Sequence, residues 1–212
     1  MRTEVEARFR AAGVAPLEAL AVASHLGSAE LGTPRTVDET DRYLDTVDGR
    51  LAEARWACRL RAREGSVRIS LKGPPTATDG HPWHHRRPEL EGPATDEIDP
   101  DAWPPSAARD LLDDLRGGGT LVERLRLRQR RTERAVQVDG ARFGTLSLDA
   151  VRVQVQGEEL GELFVVELEL DPAATSAERE LSGLATALAE VAGLVAERRT
   201  KLERALERAT GH

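Results

Sequence analysis

The chain has 212 residues, of which 40% are hydrophobic, 32% charged and only 3% aromatic. This length and composition suit one globular domain with an aliphatic core. The net charge of −7 argues against a general nucleic-acid-binding protein, which needs a basic face. The single cysteine, Cys58, excludes an internal disulfide and is expected to be a small buried side chain. We see no signal peptide and no apolar run of membrane-spanning length, so we expect a cytoplasmic protein.

Most of the chain is predicted to form long strands, because charged and apolar residues alternate. The predicted strands cover residues 2–10, 36–45, 55–63, 67–72, 83–91, 121–131, 132–138, 141–156 and 162–171. Helices are predicted at residues 15–24, 106–116, 176–197 and 200–209. Ser106 is the expected N-cap of the second helix, and Ser176 is expected to begin the third. Glu64-Gly65 and Asp139-Gly140 predict hairpin turns.

Nearly every predicted strand has one charged face and one apolar face. Successive side chains of a strand point to opposite faces, so Glu4, Glu6 and Arg8 lie together. The same face of the other strands carries Arg59, Arg61, Lys72, Arg87, Glu89, Glu91, Arg126, Arg128, Asp149, Glu167 and Glu169. The ordinary interpretation is a sheet whose charged face is solvated. The repeated pairs of arginines and of carboxylates favour instead a closed barrel with a polar lumen.

A polar lumen of this kind needs a ligand. Clustered arginines repel one another unless an anion lies between them, and guanidinium groups bind phosphate oxygens in bidentate fashion. Paired carboxylates beside phosphates need a hard divalent cation such as Mg²⁺ or Mn²⁺. The pattern therefore predicts metal-assisted phosphoryl transfer.

The motifs, taken in order, resemble the CYTH domain of the triphosphate tunnel metalloenzymes. The resemblance is carried by Glu4-x-Glu6-x-Arg8, Tyr43-Leu44-Asp45-Thr46, Arg59-Leu60-Arg61, Ser70-Leu71-Lys72-Gly73, Arg87-x-Glu89-x-Glu91, Arg126-Leu127-Arg128, Asp149, Glu167-Leu168-Glu169 and residues 200–206. The family usually has lysine at the position of Arg8. Because arginine does not exchange protons at neutral pH, we expect phosphate binding there rather than acid–base chemistry.

The resemblance implies one domain over residues 1–212 with an α+β fold. This fold is an eight-stranded antiparallel β-tunnel, with helices packed outside and C-terminal helices at about residues 176–209. The implied activity is metal-dependent hydrolysis of inorganic triphosphate or another linear polyphosphate, with Mg²⁺ or Mn²⁺. By position, Glu4, Glu6, Arg8 and Lys72 would be catalytic. The implied triphosphate ligands are Arg8, Arg59, Arg61, Lys72, Arg126, Arg128 and Lys201, and the implied metal ligands are Glu4, Glu6, Asp149, Glu167 and Glu169. Arg87, Glu89 and Glu91 are further candidates.

Other functions of the same family stay open. One is a polyphosphate-binding module of a CYTH–CHAD type protein, and the others are thiamine triphosphatase and adenylyl cyclase activity. Few aromatic residues are present to stack an organic ring, and the four paired glutamates are all retained, which favours an inorganic triphosphatase. We expect neither a membrane nor a nucleic-acid partner, and a homodimer remains an alternative.

Several residues have a plainer interpretation beside the functional one. Glu89 and Glu91 could be rim charges, and Lys201 an ordinary helix-surface lysine. Arg124 and Arg130 are expected beyond the ends of the tunnel, and Arg131 is expected on its outer face. His81, His84 and His85 fall in a polar loop without convincing metal-ligand spacing. Trp83 and Trp103 are expected to be packing residues.

Overall fold

The computed structural model describes residues 1–76, 80–174 and 178–210, without the side chain of Glu178. Within these residues the strands are β1 Arg2–Ala11, β2 His25–Leu26, β3 Ala29–Leu31, β4 Arg35–Thr46, β5 Ala57–Arg63, β6 Ser66–Lys72, β7 His84–Pro93, β8 Leu121–Val138, β9 Ala141–Val155, β10 Glu158–Leu170 and β11 Leu194–Ala196. The α-helices are α1 Ala15–Val22, α2 Arg50–Glu53, α3 Ala107–Arg116, α4 Glu178–Ala189 and α5 Lys201–Thr210. None of these helices combines the length and the apolar character that crossing a membrane requires.

Eight of the strands form a closed antiparallel barrel, which confirms the predicted fold class. Neighbouring strands follow the order β8, β4, β5, β6, β7, β1, β10 and β9, and β9 pairs back with β8 to close the circle. The short β2–β3 hairpin extends the sheet beyond β8, and β11 pairs with β1. A closed barrel leaves no unpaired edge, so the charged faces of its strands can enclose a lumen.

Two apolar clusters hold helices against the outside of the barrel. In the first, Ala7 and Phe9 of β1 and neighbours on β9 and β10 pack against α1 and α4. In the second, Leu60 of β5 and Ile69 of β6 pack against Leu112 of α3. Side chains alternate along a strand, so the charged residues between these apolar ones face the lumen.

A third cluster lies inside one end of the barrel. Leu125 and Leu127 of β8 share the inward parity of Gln129 and pack with Val151 of β9, Leu163 of β10 and Ala205 of α5. The first turns of α5 therefore close this end of the lumen with apolar side chains. The rest of the lumen stays polar.

Several predicted element boundaries need correction. The strand predicted at residues 55–63 begins at Ala57, because Arg55 adopts a left-handed φ of 62° that interrupts extended backbone. The strand predicted at 121–131, with its continuation over 132–138, is confirmed as the single strand β8. The helix predicted at 176–197 ends at Ala189, and Leu194–Ala196 is strand β11. Ser176, its expected first residue, lies outside the described residues.

Other expectations about packing are confirmed. The Oγ atom of Ser106 accepts a hydrogen bond from the Arg109 N–H at 3.2 Å and caps α3. Cys58, Trp83 and Trp103 are all buried in the apolar clusters. The β2–β3 hairpin and helix α2 were not predicted, since each is too short to show a periodic pattern.

Candidate active site in the tunnel lumen

The lumen is lined by alternate residues of the eight barrel strands. In β1, β5, β6 and β10 the inward positions alternate with mainly apolar residues that pack outside, so these strands have two chemically different faces. The inward charged side chains include Glu4, Glu6, Arg8, Glu39, Asp41, Arg59, Arg61, Arg63, Lys72, Arg87, Glu89, Arg131, Glu133, Asp149, Glu167 and Glu169.

Three of these carboxylates form a compact group, here called the carboxylate cluster: Glu4 of β1, Glu89 of β7 and Glu169 of β10. Each offers an oxygen, and the three oxygens lie within 4.8 Å of one another. Glu4 and Glu89 are buried, whereas Glu169 is partly exposed. Burial and the Glu4 carboxylate raise the pKa of Glu169 above its ordinary value. Negative charge thus accumulates at this point of the lumen.

Basic side chains already contact the carboxylate cluster. The Lys72 ammonium donates to Glu4 and lies 3.4 Å from Glu89, and the Arg87 Nε atom donates to Glu4 at 2.7 Å. The Arg2 Nε atom donates to Glu89 at 2.9 Å. Burial by itself would raise the pKa of the Glu4 carboxyl, but Lys72 and Arg87 outweigh it and hold that pKa well below its usual range.

The carboxylate cluster has the chemistry of a divalent-metal site. Hard divalent cations such as Mg²⁺ and Mn²⁺ prefer carboxylate oxygens, and three such oxygens converge here from three strands. Glu4 and Glu169 were expected to bind metal, whereas Glu89 was expected only as a further candidate. The residues present therefore fit a divalent cation.

The other expected metal ligands lie elsewhere in the lumen. The Arg8 guanidinium is 1% exposed and donates to Glu6, to Glu167 at 3.0 Å and to the Arg199 carbonyl oxygen at 3.2 Å. It therefore ties β1 to β10 and to the segment before α5. Burial raises the pKa of Glu6 to about 7, and the Glu167 and Glu4 carboxylates add to this while Arg8 opposes it.

His85 lies in strand β7, as the strand predicted at residues 83–91 requires and against the loop setting expected for the three histidines. It lines the lumen beside Arg8. Its Nε2 atom lies 2.7 Å from the Glu197 carbonyl oxygen, and Nδ1 lies 3.4 Å from an Arg8 Nη atom. Burial and the Arg8 charge lower the pKa of His85 to about 4. The ring is therefore neutral at pH 7, and Nε2 carries the proton because it faces a carbonyl acceptor.

Asp149 and Glu167 are held by two cations. The Lys201 ammonium of α5 donates to Asp149 and, at 2.6 Å, to Glu167, with only 8% of its side chain exposed. Arg131 binds Asp149 in bidentate fashion at 2.7 and 2.8 Å. Lys201 is therefore not an ordinary helix-surface lysine. It joins the C-terminal helix to the lumen.

The opposite side of the lumen is formed mainly by arginines. Arg59, Arg61 and Arg63 of β5 and Arg131 of β8 are here called the arginine wall. Glu39 and Asp41 of β4 lie between these arginines, and each carboxylate contacts at least two of them. Glu39, Asp41, Arg63 and Arg131 were not among the expected site residues.

The expected placement of the basic pair on β8 is wrong. Arg128 is exposed on the outer face, and Arg126 pairs there with Glu123 at 2.8 Å. Arg131, expected outside, faces the lumen and binds Asp149. The parity was misassigned because the inward residues Leu125 and Leu127 are apolar, which is typical of a buried outer face. Here they face α5 inside the barrel.

The remaining candidates divide between the lumen and its rim. Glu89 is 1% exposed in its side chain and belongs to the carboxylate cluster, so it is not a rim charge. Glu91 is 34% exposed and lies 3.9 Å from Arg68, as the rim interpretation expected. Arg124 donates to the carbonyl oxygens of Thr46 and Val47. Arg130 is exposed on the outer face.

Two cavities occupy the tunnel. One of about 340 Å³ contains the carboxylate cluster and the arginine wall. The other, of about 770 Å³, is lined by both charged and apolar side chains, and the apolar ones include Tyr43, Trp56 and Leu202. Both cavities are lined by Arg59, Lys72 and Glu167. These three side chains therefore stand where the polar and the mixed cavities adjoin.

Comparison with known proteins agrees with this geometry. The sequence model of the CYTH domain matches residues 2–206, nearly the whole chain. The chain belongs to the CYTH family. No protein with a curated description matches the sequence significantly.

Solved structures of several CYTH-like proteins share the tunnel fold. HpAC1 from Hippeastrum, described as having a dominant triphosphatase activity, aligns with a TM-score of 0.66 and 18% identity over 96% of this chain and 95% of its own. An adenylate cyclase candidate from Bacillus halodurans aligns with a TM-score of 0.55 and 18% identity, covering 96% and 98%. The mimivirus capping enzyme triphosphatase aligns with a TM-score of 0.52 and 11% identity, covering 90% and 91%. At these identities the likeness establishes the fold.

Proposed function

We propose that this CYTH protein hydrolyses inorganic triphosphate with the help of Mg²⁺ or Mn²⁺. The observation that supports it most directly is the arrangement of the lumen, where a carboxylate cluster faces a wall of arginines across a cavity of about 340 Å³. A linear triphosphate carries negative charge along its whole length, which suits cations distributed over several strands. The activities described for HpAC1 and the mimivirus enzyme are consistent with this proposal.

The proposed roles follow from the contacts of each side chain. Glu4, Glu89 and Glu169 would hold the cation, which when bound neutralises phosphate charge and polarises the bond to be broken. Arg59 and Lys72 would bind phosphate oxygens, because they stand where the two cavities adjoin. Arg8, Lys201 and Arg131 hold Glu6, Asp149 and Glu167, and so fix the shape of the lumen around the substrate.

A second candidate substrate is an organic triphosphate such as thiamine triphosphate or a nucleoside triphosphate. The larger cavity favours it, because Tyr43, Trp56 and Leu202 supply apolar surface for a ring system beside the phosphate-binding cations. The aromatic content of the chain is low, but the aromatic side chains that are present include two at this position.

The deciding experiment measures phosphate release from tripolyphosphate, ATP and thiamine triphosphate, each with Mg²⁺ and with Mn²⁺. Rapid release from tripolyphosphate alone would support the inorganic triphosphatase. A clear preference for one organic triphosphate would assign the function to the larger cavity. Tight tripolyphosphate binding without turnover would overturn the hydrolase and favour a polyphosphate-binding module.

A further inference from the structure

Two buried acids of β4, Glu39 and Asp41, lie outside the carboxylate cluster and have no part in the proposed function. Both carboxylates are fully buried. A buried carboxylate costs free energy unless it is paired. It also repels a polyanion in the same lumen, so its presence beside a phosphate site needs a physical reason.

Asp41 is bound closely to two arginines of the wall. Its Oδ1 and Oδ2 atoms accept hydrogen bonds from Arg61 Nε and Nη2, both at 2.7 Å, and Oδ2 lies 3.5 Å from Arg59 Nη1. The β4–β5 register places Asp41 directly opposite Arg61. Burial by itself would raise the pKa of Asp41, but Arg61 and Arg59 hold that pKa well below its usual range. The acid is therefore ionised at every physiological pH.

Glu39 and Gln129 add further contacts to these arginines and to Asp41. Glu39 lies 3.1 Å from Arg61 Nη1 and 2.9 Å from Arg63 Nη1. The Gln129 amide nitrogen donates to both acids, at 3.1 Å to Glu39 and 2.9 Å to Asp41. Arg59 Nε and Gln129 Oε1 are two of the buried side-chain atoms that lack a hydrogen-bond partner among the described residues. One further donor and one further acceptor are therefore available for a ligand beside the arginines that Asp41 and Glu39 bind.

We propose that Asp41, assisted by Glu39, is a positioning residue that holds Arg59 and Arg61 in place for substrate phosphates. This inference rests on the proposed function. A free arginine side chain loses considerable rotamer entropy when it is immobilised on a ligand. Asp41 fixes Arg61 through two parallel hydrogen bonds before the ligand arrives, while other N–H groups of the guanidinium remain for phosphate.

The substitution Asp41→Asn distinguishes a positioning role from a purely electrostatic effect, because the two predict opposite changes in tripolyphosphate affinity. Removing a negative charge near a polyanion should tighten binding if only Coulomb attraction matters. Positioning predicts weaker binding, by about tenfold, with KM for tripolyphosphate rising more than kcat falls. Calorimetry with tripolyphosphate, with and without Mg²⁺, measures the affinity. Asp38→Asn is the matched control, because Asp38 is exposed on the outer face of the same strand.

A second variant covers the case in which Asp41→Asn does not fold, which circular dichroism would reveal. Asp41→Glu keeps the charge and moves the carboxylate by one methylene, so positioning alone predicts a loss of affinity. In an Arg61→Gln background the Asp41→Asn change should add little further loss, because its main partner is already gone.

The outcomes distinguish this inference from the proposed function. Unchanged or tighter tripolyphosphate binding by Asp41→Asn, in a chain whose unmodified form hydrolyses tripolyphosphate, would overturn the positioning role alone. Failure of the unmodified chain to bind tripolyphosphate would overturn the proposed function and the positioning role with it. Weaker binding by both Asp41 variants, with Asp38→Asn unchanged, would support the inference.

Discussion

The two sides of the lumen both combine acids with bases but arrange them differently. In the carboxylate cluster, Glu4, Glu89 and Glu169 bring oxygens within 4.8 Å of one another. In the arginine wall, Glu39 and Asp41 are each surrounded by guanidinium groups. The order of the charges, more than their number, decides what each side can bind.

The pKa shifts express this difference. Next to Glu4, burial and like charge raise the pKa of Glu169, whereas, against the effect of burial, Lys72 and Arg87 lower the pKa of Glu4 and Lys72 lowers that of Glu89. On the other side, burial opposes ionisation of Asp41, but Arg61 and Arg59 lower its pKa strongly. Acids in contact with each other attract a cation, whereas acids between arginines hold those arginines in place for an anion.

The largest effect is expected when the carboxylate cluster is broken. Glu4→Gln removes a central carboxylate, and we expect tripolyphosphate turnover to fall by more than about 100-fold. Mn²⁺ affinity of the substrate-free protein should fall as well, which electron paramagnetic resonance or calorimetry can measure. Glu30→Gln, on the exposed side of β3, is the control. Retained turnover and Mn²⁺ binding in Glu4→Gln would remove this glutamate from the metal site.

A smaller effect is expected when one member of the arginine wall is removed. Arg59→Met deletes a guanidinium at the junction of the cavities, and a charged hydrogen bond contributes about 1.5–3 kcal/mol. KM for tripolyphosphate should therefore rise about 10- to 100-fold, while Mn²⁺ affinity of the free protein stays unchanged. Steady-state kinetics and a metal titration test the two parts separately. An equal loss of tripolyphosphate binding and of Mn²⁺ affinity would mean that the arginine wall and the carboxylate cluster do not act independently.

The assignment of β8 can be tested by stability. Arg131→Met leaves Asp149 buried with only Lys201 to pair it, and breaking a buried pair costs about 3–5 kcal/mol. Arg128→Met changes an exposed side chain on the opposite face, and we expect less than about 0.5 kcal/mol. Urea unfolding of both variants gives the comparison. Similar free energies of unfolding for the two variants would contradict the inward placement of Arg131.

The barrel itself could be predicted because its signal is local and repeated. Alternation in β1, β5, β6 and β10 shows one charged and one apolar face, and burial of the apolar face against helices follows from it. The hairpin turns after Arg63 and Val138 fix which strands are neighbours. Long strands joined by clear turns leave few alternatives for the fold.

The missed site residues lie where both faces of a strand are polar. In β4, Thr40 and Arg42 alternate with Glu39 and Asp41, so the sequence cannot show which pair faces inward. In β8 the apolar residues Leu125 and Leu127 face the lumen and not the outside, because α5 fills that end of the barrel. Such a contact between distant segments has no local signature.

The predicted end of the helix at residues 176–197 was wrong for a related reason. Its helical pattern continues past Ala189 to Val191, but Gly193 has a positive φ of 87° and turns the chain back. The next three residues then pair with β1 between Phe9 and Ala11. A strand that forms only because β1 extends beyond its pairing with β7 cannot be predicted from its own residues.

The smallest expected effect is on the pH dependence of stability, and it distinguishes the contributions of Glu6 and His85. Burial raises the pKa of Glu6 to about 7, so without divalent metal its contribution to stability is lost as pH rises from about 4.5 to 7. Burial also lowers the pKa of His85 to about 4, so its contribution increases as pH rises from about 4 to 6.5. The two slopes have opposite signs in the same window, and each is at most about 1.4 kcal/mol per pH unit.

In the unmodified chain these slopes should largely cancel between pH 4.5 and 6.5. Glu6→Gln removes one of them, so the free energy of unfolding should rise more steeply with pH in this variant. His85→Gln removes the other and should give the reverse trend. Urea unfolding at several pH values in a chelating buffer measures both. Parallel pH profiles of the unmodified chain and Glu6→Gln, with a flatter profile in His85→Gln, would mean that Glu6 stays ionised through its contact with Arg8.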